Sequence, residues 1–229
     1  MLEQEISRLK ERIIKLSAVV KEMIDNSVQA LIDRNVTLAK KAITELEPRV
    51  NQEENAVSEE CITVIARYQP EAKSLRMVMM IARMVSDLER MGDSAVNVAE
   101  SSLFLIDRPP VKPLIDIPRM RDEVIQMLDK SITAFLNEDV DLAYEVLKRD
   151  DIVDDYRDQI LRELVTYMLS NASLIESSLQ LTRIAQNLEK IGDVITNICE
   201  EVIYIKEGKV VKHTKHAEEW KNKVEGWLP

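Results

Sequence analysis

Apolar residues recur every three or four positions along the first part of the chain, from Ile6 to Ile32. Only a helix keeps such positions on one face, so this pattern predicts a first amphipathic helix. Asn35 has the chemistry of a helix cap, and a second helical pattern follows it to about Tyr68. Pro48 lies inside that pattern, where its missing amide and its ring predict a kink and not a new domain.

A third helical pattern follows Gln69, with Pro70 predicted as its first residue, and continues to about Leu105. Residues 107–118 then contain four of the seven prolines of the chain, which excludes a long helix there. We therefore predict a first three-helix unit over 1–108 and a proline-rich linker over 109–118.

The same plan repeats after the linker. Helical patterns cover about 119–136, 140–169 and 174–206, and a basic tail at 211–229 contains both histidines, His213 and His216. The short turns between helices force antiparallel neighbours. The predicted fold is all-α, with six long helices in two tandem antiparallel three-helix bundles, the second at 119–210.

An internal duplication supports this division. Residues 82–105 align with 182–205 without a gap, and the second helices align less closely. The identical pairs are Arg83/Arg183, Leu88/Leu188, Glu89/Glu189, Gly92/Gly192, Asp93/Asp193, Asn97/Asn197 and Glu100/Glu200 in the last helices, and Val36/Val140, Leu38/Leu142 and Ala39/Ala143 in the second helices. The chain therefore contains two copies of one unit.

Composition agrees with helices, because the 229 residues include four glycines and only 4% aromatics. The formal net charge of -10 argues against nucleic acid and against direct adsorption to anionic membranes. No stretch is long and apolar enough to insert into a membrane, and residues 1–15 alternate charge with Leu and Ile, unlike a signal peptide. We expect a cytoplasmic protein whose partners are cations or proteins, with Cys61 and Cys199 as core residues.

Gly92 and Gly192 occupy one repeat position in mid-helix, where each costs about 1 kcal/mol relative to alanine. One interpretation is that another helix crosses closely there. The other is that the backbone lets the neighbouring carboxylate, Asp93 or Asp193, approach a shared site. The two interpretations are compatible.

The last helix of each copy carries a Glu-x-x-x-Asp pair, Glu89 with Asp93 and Glu189 with Asp193. Residues four apart lie on one helix face, where like charges oppose each other. Each pair is followed one turn later by an asparagine, Asn97 or Asn197, which we interpret as supporting residues around a metal. The alternative is a solvated acidic face relieved by Arg90 or Lys190.

The middle helices carry a second row of oxygens. Asp150, Asp154 and Asp158 are four apart, and Glu47, Asn51 and Asn55 align with them in the first copy. If the middle and last helices pack together, two rows of carboxylates would repel each other, and a cation would relieve that repulsion. The alternative is that these residues only make the helix soluble.

An all-oxygen site suits magnesium, calcium or manganese and also accommodates iron. Sulfur-ligated zinc is excluded by spacing, and the Glu-x-x-His pairs of di-iron bundles are absent. No nucleophile with its base, phosphate-binding glycine loop or dinucleotide motif is present, so the sequence indicates no enzyme. A metal-dependent hydrolase of phosphorylated compounds and a metal-free helical adaptor remain the alternatives to a metal-binding regulator.

Several segments spread over essentially the whole chain form a recognisable set. They are Asp-Leu-Glu-Arg-Met-Gly-Asp at 87–93, Asn-Leu-Glu-Lys-Ile-Gly-Asp at 187–193, Gln69-Pro70, Leu75-Arg76, Val50-Asn51, Glu59-Glu60-Cys61 and Arg-Glu-Leu-Val-Thr-Tyr-Met at 162–168. Together these segments resemble the PhoU family, and the resemblance implies two three-helix bundles and a regulator of phosphate uptake. Such a regulator restrains a Pst-type phosphate ABC transporter and signals phosphate status to a sensor histidine kinase.

The resemblance also implies multinuclear metal clusters held by Glu/Asp-x-x-x-Asp pairs, with iron first and manganese or magnesium as alternatives. The residues that match are Glu89, Asp93, Glu189, Asp193, Asp150, Asp154 and Asp158, with Glu47 and Asn51 in partial agreement. Asn51 replaces the second acid of its pair, and Ser58 stands where relatives can carry Asp after Glu54. The sequence leaves monomer and homodimer open.

Overall fold

The computed structural model describes residues 1–207, and every regular element in that range is helical. The helices are α1 (Leu2–Asp33), α2 (Val36–Lys41, a π-helical turn Ala42–Leu46, then Glu47–Tyr68), α3 (Ala72–Ile106), α4 (Asp116–Asn137), α5 (Val140–Ser170) and α6 (Ile175–Glu207). The predicted all-α fold, with six long helices in two groups of three, is confirmed. The predicted tail at 211–229, with His213 and His216, lies outside the described residues.

The same turn joins the first two helices of each copy. Arg34 and Glu138 adopt the left-handed conformation, with φ of 53° and 52°, and end α1 and α4. The next residue caps the following helix: Asn35 Oδ1 accepts from the Thr37 amide at 2.9 Å, and Asp139 Oδ1 accepts from the Leu142 amide at 3.0 Å. The predicted cap at Asn35 is therefore confirmed.

Just before Pro48, α2 departs from α-helical geometry over the π-helical turn Ala42–Leu46. The Glu47 amide bonds to the Ala42 carbonyl five residues back, and Pro48 lies in the first turn of the next α-helical piece. Between the aligned pairs Val36/Val140 and Val50/Val153, the first copy contains one residue more than the second. The π-turn accommodates that extra residue, so the faces of α2 and α5 stay equivalent beyond it.

Two predicted boundaries differ from the structure. Helix α3 begins at Ala72 and not at Pro70, because Glu71 before it has an extended backbone with φ of −111° and ψ of 159°. Helix α4 begins at Asp116, so the last residues predicted as linker form its first turn. The remaining linker holds Lys112, whose buried side chain contacts Asp116 at 3.4 Å and also contacts Glu163 on α5.

The two copies share one continuous apolar core. Helix α3 packs along α6, and α1 packs against α4, in addition to the contacts within each copy. Helix α3 carries adjacent apolar pairs such as Met80-Ile81 and Met84-Val85, so it buries side chains on two faces. Both cysteines are buried and free, as predicted. Within residues 1–207 no helix is both long and apolar enough to cross a membrane.

Candidate functional site

In the first copy, the two predicted rows of oxygens face each other on α2 and α3, which pack together. The crossing is close at Gly92, where a β-carbon would lie 3.5 Å from Val50 Cγ1 and 3.6 Å from Met23 Cε. Both distances are ordinary van der Waals contacts, so the packing of the helices leaves room for a β-carbon at Gly92 and does not by itself require a glycine there. We call Glu47, Asn51, Glu54, Glu89 and Asp93 the first-copy cluster.

Repulsion within the first-copy cluster acts on Glu89, which is partly buried. Burial raises the pKa of the Glu89 carboxyl, and the charges of Asp93, Glu54 and Glu47 raise it further, while Arg90 opposes them. Glu54 was missed as a site residue in the sequence. It stands seven residues after Glu47, two turns along α2, and that spacing was the available signal.

Asn51 contributes an acceptor to the same region. Its Oδ1 atom is buried and has no hydrogen-bond partner within the described part of the chain. A buried acceptor without a donor carries a desolvation cost of about 1–3 kcal/mol, which a cation or a water molecule would offset. The first-copy cluster therefore combines excess negative charge with an unsatisfied oxygen.

The second copy repeats this arrangement on α5 and α6 but is tighter at its glycine. A β-carbon at Gly192 would lie 3.3 Å from Asp150 Oδ1 and 3.5 Å from Val153 Cγ1. A carboxylate oxygen of α5 therefore packs over the bare backbone at Gly192, while the approach of Asp193 to a shared site stays a prediction. We call Asp150, Asp154, Asp158, Glu189 and Asp193 the second-copy cluster.

Arg157 lies within the second-copy cluster and pairs with three of its acids. Its Nη1 atom is 2.9 Å from Asp154 Oδ1, and its Nη2 atom is 3.0 Å from Asp158 Oδ1. The same Nη1 atom also donates to Glu189 on α6. Sequence reasoning missed Arg157, although its position three residues after Asp154 and next to Asp158 indicated local ion pairs.

Glu189 therefore experiences opposing influences. Burial raises the pKa of its carboxyl, and the charges of Asp193 and Asp154 raise it further. The charge of Arg157 and its hydrogen bond lower that pKa. The positive charge of the Arg157 guanidinium thus offsets part of the repulsion between the acids of the second-copy cluster.

The carboxylates form extended acidic surfaces and not preformed cages. Among the residues that the structure describes, no three His, Cys, Asp or Glu side chains are arranged to hold a metal ion. Carboxylate and amide oxygens suit hard cations such as Mg²⁺ or Mn²⁺, and they also accept iron. The donor set therefore fits such an ion, and side-chain rotation would have to bring the ligands together.

The predicted supporting residue Asn97 has a different partner. Its Oδ1 atom accepts from Arg183 Nη2 on α6 at 2.6 Å, and the same nitrogen lies 2.9 Å from Glu100 Oε2. This contact places Asn97 at the interface between the two copies, and its role as a supporting residue around a metal stays a prediction. The sequence did not predict the hydrogen bond between Arg183 and Asn97, because that bond depends on the packing of α3 on α6, which is a tertiary feature. Asn197, its counterpart on α6, is partly buried.

Comparison with known proteins identifies relatives along the whole chain. The profile of the PhoU domain matches residues 13–102 and 117–202. The phosphate-specific transport system accessory protein PhoU homolog of Aquifex aeolicus is 40% identical over 216 residues, which are 94% of this chain and 97% of that protein. The corresponding accessory protein PhoU of Escherichia coli is 31% identical over 209 residues, or 91% of this chain and 86% of that one.

Solved structures agree with this relationship. The crystal structure of PhoU from Pseudomonas aeruginosa superposes with a TM-score of 0.87 at 33% identity, over 91% of this chain and all of that chain. The phosphate transport system regulatory protein PhoU from Streptococcus pneumoniae gives a TM-score of 0.82 at 25% identity, over 93% of this chain and all of that one. The arrangement of the two copies is therefore shared with solved relatives.

Proposed function

This chain belongs to the PhoU family, and on that premise we propose that it is a non-enzymatic regulator of phosphate uptake. In this proposal it restrains a Pst-type phosphate ABC transporter and signals phosphate status to a sensor histidine kinase. The observation that carries the proposal is the similarity of both copies, in order, to accessory proteins of phosphate-specific transport. The proposal also places the protein in the cytoplasm, where its free cysteines would stay reduced.

The proposal includes a divalent or trivalent cation at the first-copy cluster. Glu89 and Asp93 on α3, together with Glu47, Glu54 and Asn51 on α2, would supply the oxygens. Support comes from the raised pKa of Glu89 and from the unpaired Asn51 Oδ1 atom. A bound cation would neutralise the repulsion between these acids and tie α2 to α3. Iron is the first expectation, in a multinuclear cluster, with manganese or magnesium as alternatives.

A negative surface suits docking on proteins. With a net charge of -10, the chain would reach the membrane through the transporter and not through anionic lipid. Under this proposal no nucleic acid takes part. Monomer and homodimer both remain compatible with the proposal, and a symmetric homodimer is the form expected of any self-association.

Phosphate uptake in cells tests the regulatory proposal. We expect deletion of the gene to raise the uptake of labelled phosphate in phosphate-rich medium, and the wild-type chain to restore the low rate. Glu89→Gln/Asp93→Asn should fail to restore it, whereas Glu59→Gln, an exposed change on α2 outside the cluster, should succeed. Unchanged uptake on deletion would contradict the proposal.

An enzyme assay tests the non-enzymatic part. We expect no hydrolysis of phosphorylated compounds when the purified protein is supplied with Mn²⁺ or Fe²⁺. Turnover that Glu189→Ala abolishes would contradict this part, because it would make the carboxylates holders of catalytic ions.

A further inference from the structure

The two acidic clusters differ in the residue that stands between their rows. A β-carbon at Gly92 would lie 3.5 Å from Val50 Cγ1, and one at Gly192 would lie 3.5 Å from Val153 Cγ1. Val50 and Val153 are therefore equivalent, and this pair defines how the residues of α2 align with those of α5 in the repeat. In this register Glu54 of the first copy corresponds to Arg157 of the second. The duplication therefore places an acid and a base at one equivalent position.

Arg157 holds carboxylates from two helices together. Its Nε and Nη2 atoms both lie 3.0 Å from Asp158 Oδ1, and its Nη1 atom bridges Asp154 on α5 to Glu189 on α6. Only 28% of the Arg157 side chain is exposed. A guanidinium in this position satisfies three acids that were predicted as metal ligands, and it spans the helices that a metal would join.

A metal ion would have to displace this guanidinium before it could reach those acids. Arginine stays protonated at any physiological pH, so a change of pH does not release it. Because Arg157 is part of the same chain, its local concentration exceeds that of a free ion. At the equivalent position of the first copy, Glu54 adds a carboxylate where Arg157 supplies a positive charge.

The basic residues that follow Glu89 and Glu189 carry the same charge in both copies. Arg90 and Lys190 are equivalent residues, one position after Glu89 and Glu189, and both are exposed. Arg90 pairs with Asp87 at 3.0 Å. The exchange of Glu54 for Arg157 therefore reverses the sign of one charge inside the cluster, in addition to the replacement of Asn51 and Asn55 by Asp154 and Asp158.

We propose that Arg157 is a built-in counter-cation that closes the second-copy cluster to metal, so that a divalent cation binds first and most tightly to the first-copy cluster. The inference rests on the cation binding proposed above. It adds that the duplicated sites are unequal: one binds an ion, and the other is held together by the protein itself.

Exchanging the two residues tests this asymmetry. Mn²⁺ is titrated calorimetrically into the metal-stripped full-length wild type and into Glu54→Arg and Arg157→Glu. We expect Glu54→Arg to weaken the tightest site about tenfold or more, and Arg157→Glu to add a second site in the other copy. The controls Glu59→Arg and Arg162→Glu make the same charge changes at exposed positions on the same helices and should leave tight binding unchanged.

Each outcome has a defined meaning. Thermal unfolding monitored by circular dichroism confirms that each variant is folded, and Arg157→Gln replaces Arg157→Glu if the latter is not. A tightest site unaffected by Glu54→Arg overturns the inference, as does a binding stoichiometry that no Arg157 variant raises. A wild type that binds no Mn²⁺ overturns the proposed cation site itself, and this inference with it.

Discussion

Arg183 on α6 donates to Asn97 on α3 over 2.6 Å, and this bond connects the two copies. Asn97 follows Asp93 by one helical turn, and Arg183 lies six residues before Glu189. A second cross-link, from Arg83 Nη1 to Glu201 Oε1 at 2.5 Å, lies elsewhere on the same helix pair. The two acidic clusters therefore stand on helices that are bonded to each other.

We expect a measurable coupling between Asn97 and Arg183. A double-mutant cycle with Asn97→Ala and Arg183→Ala should give a coupling free energy of about 0.5–1.5 kcal/mol in urea unfolding. The pair Arg183/Glu100 is the matched control. Both of its side chains are 41% to 50% exposed, so its coupling should be smaller and should decrease at high salt. Zero coupling for Asn97 would contradict the bond.

Glu89→Gln should stabilise the metal-free protein at neutral pH, because it removes a repelled charge. The size should be about 0.2–0.5 kcal/mol, typical of a like-charge pair one turn apart. Burial and the neighbouring acids raise the pKa of the Glu89 carboxyl in the folded protein above its ordinary value of 4.5. Below that pH the Glu89 carboxyl is protonated in both the folded and the unfolded protein, so the stabilisation by Glu89→Gln should vanish. The stabilisation should grow as the pH rises through the pKa that Glu89 has in the folded protein.

Urea unfolding of the wild type and Glu89→Gln at several pH values measures this difference. Glu59→Gln, on the exposed surface of α2, serves as the control and should show no such pH dependence. An advantage of Glu89→Gln that is largest at low pH would have the wrong sign and would contradict the repulsion.

The two equivalent glycines should respond differently to alanine. Gly92→Ala meets only apolar contacts at 3.5 Å or more, so it should gain helix propensity of up to about 1 kcal/mol. Gly192→Ala brings a methyl group to 3.3 Å from Asp150 Oδ1, and moving that carboxylate should cancel part or all of the gain. Denaturant unfolding of both variants compares them. Equal stabilisation would show that Asp150 does not pack on Gly192.

Lys112 should be essential for stability, because its charge is buried beside that of Asp116. The two side chains are 4% and 8% exposed, and Lys112 also contacts Glu163. Lys112→Ala leaves an uncompensated buried acid, so we expect a loss of about 3–5 kcal/mol in the free energy of unfolding. Lys112→Met/Asp116→Asn removes both charges and should recover most of that loss. A mild effect of Lys112→Ala alone would contradict the buried pair.

Local sequence signals predicted most of the fold. The apolar stripe from Ile6 to Ile32, the cap at Asn35 and the interruption at Pro48 each depend on neighbouring residues only. The internal duplication showed in advance that the last helices of the two copies are equivalent. The π-turn was not predicted, because its signal is the one-residue difference in length between α2 and α5, which is visible only once the repeat is aligned around Val50 and Val153.

Features that depend on tertiary packing were missed. The ion pairs of Arg157 with Asp154 and Asp158 follow from spacing, but its contact with Glu189 requires α5 to lie beside α6 in a particular register. The bond from Arg183 to Asn97 requires the two copies to pack on each other. Periodicity within one helix contains neither kind of information, whereas Glu54 could have been found from its spacing of seven residues from Glu47.

Anomalous diffraction at the manganese edge, from crystals grown with Mn²⁺, tests the central claim most directly. The account predicts a peak between α2 and α3, within coordination distance of Glu89 and Asp93, and none beside Glu189, where Arg157 supplies the positive charge. Crystals of Glu89→Gln/Asp93→Asn should lose the peak. A peak beside Glu189 in the wild type, with or without one beside Glu89, would contradict this expectation, and so would the absence of a peak in both copies.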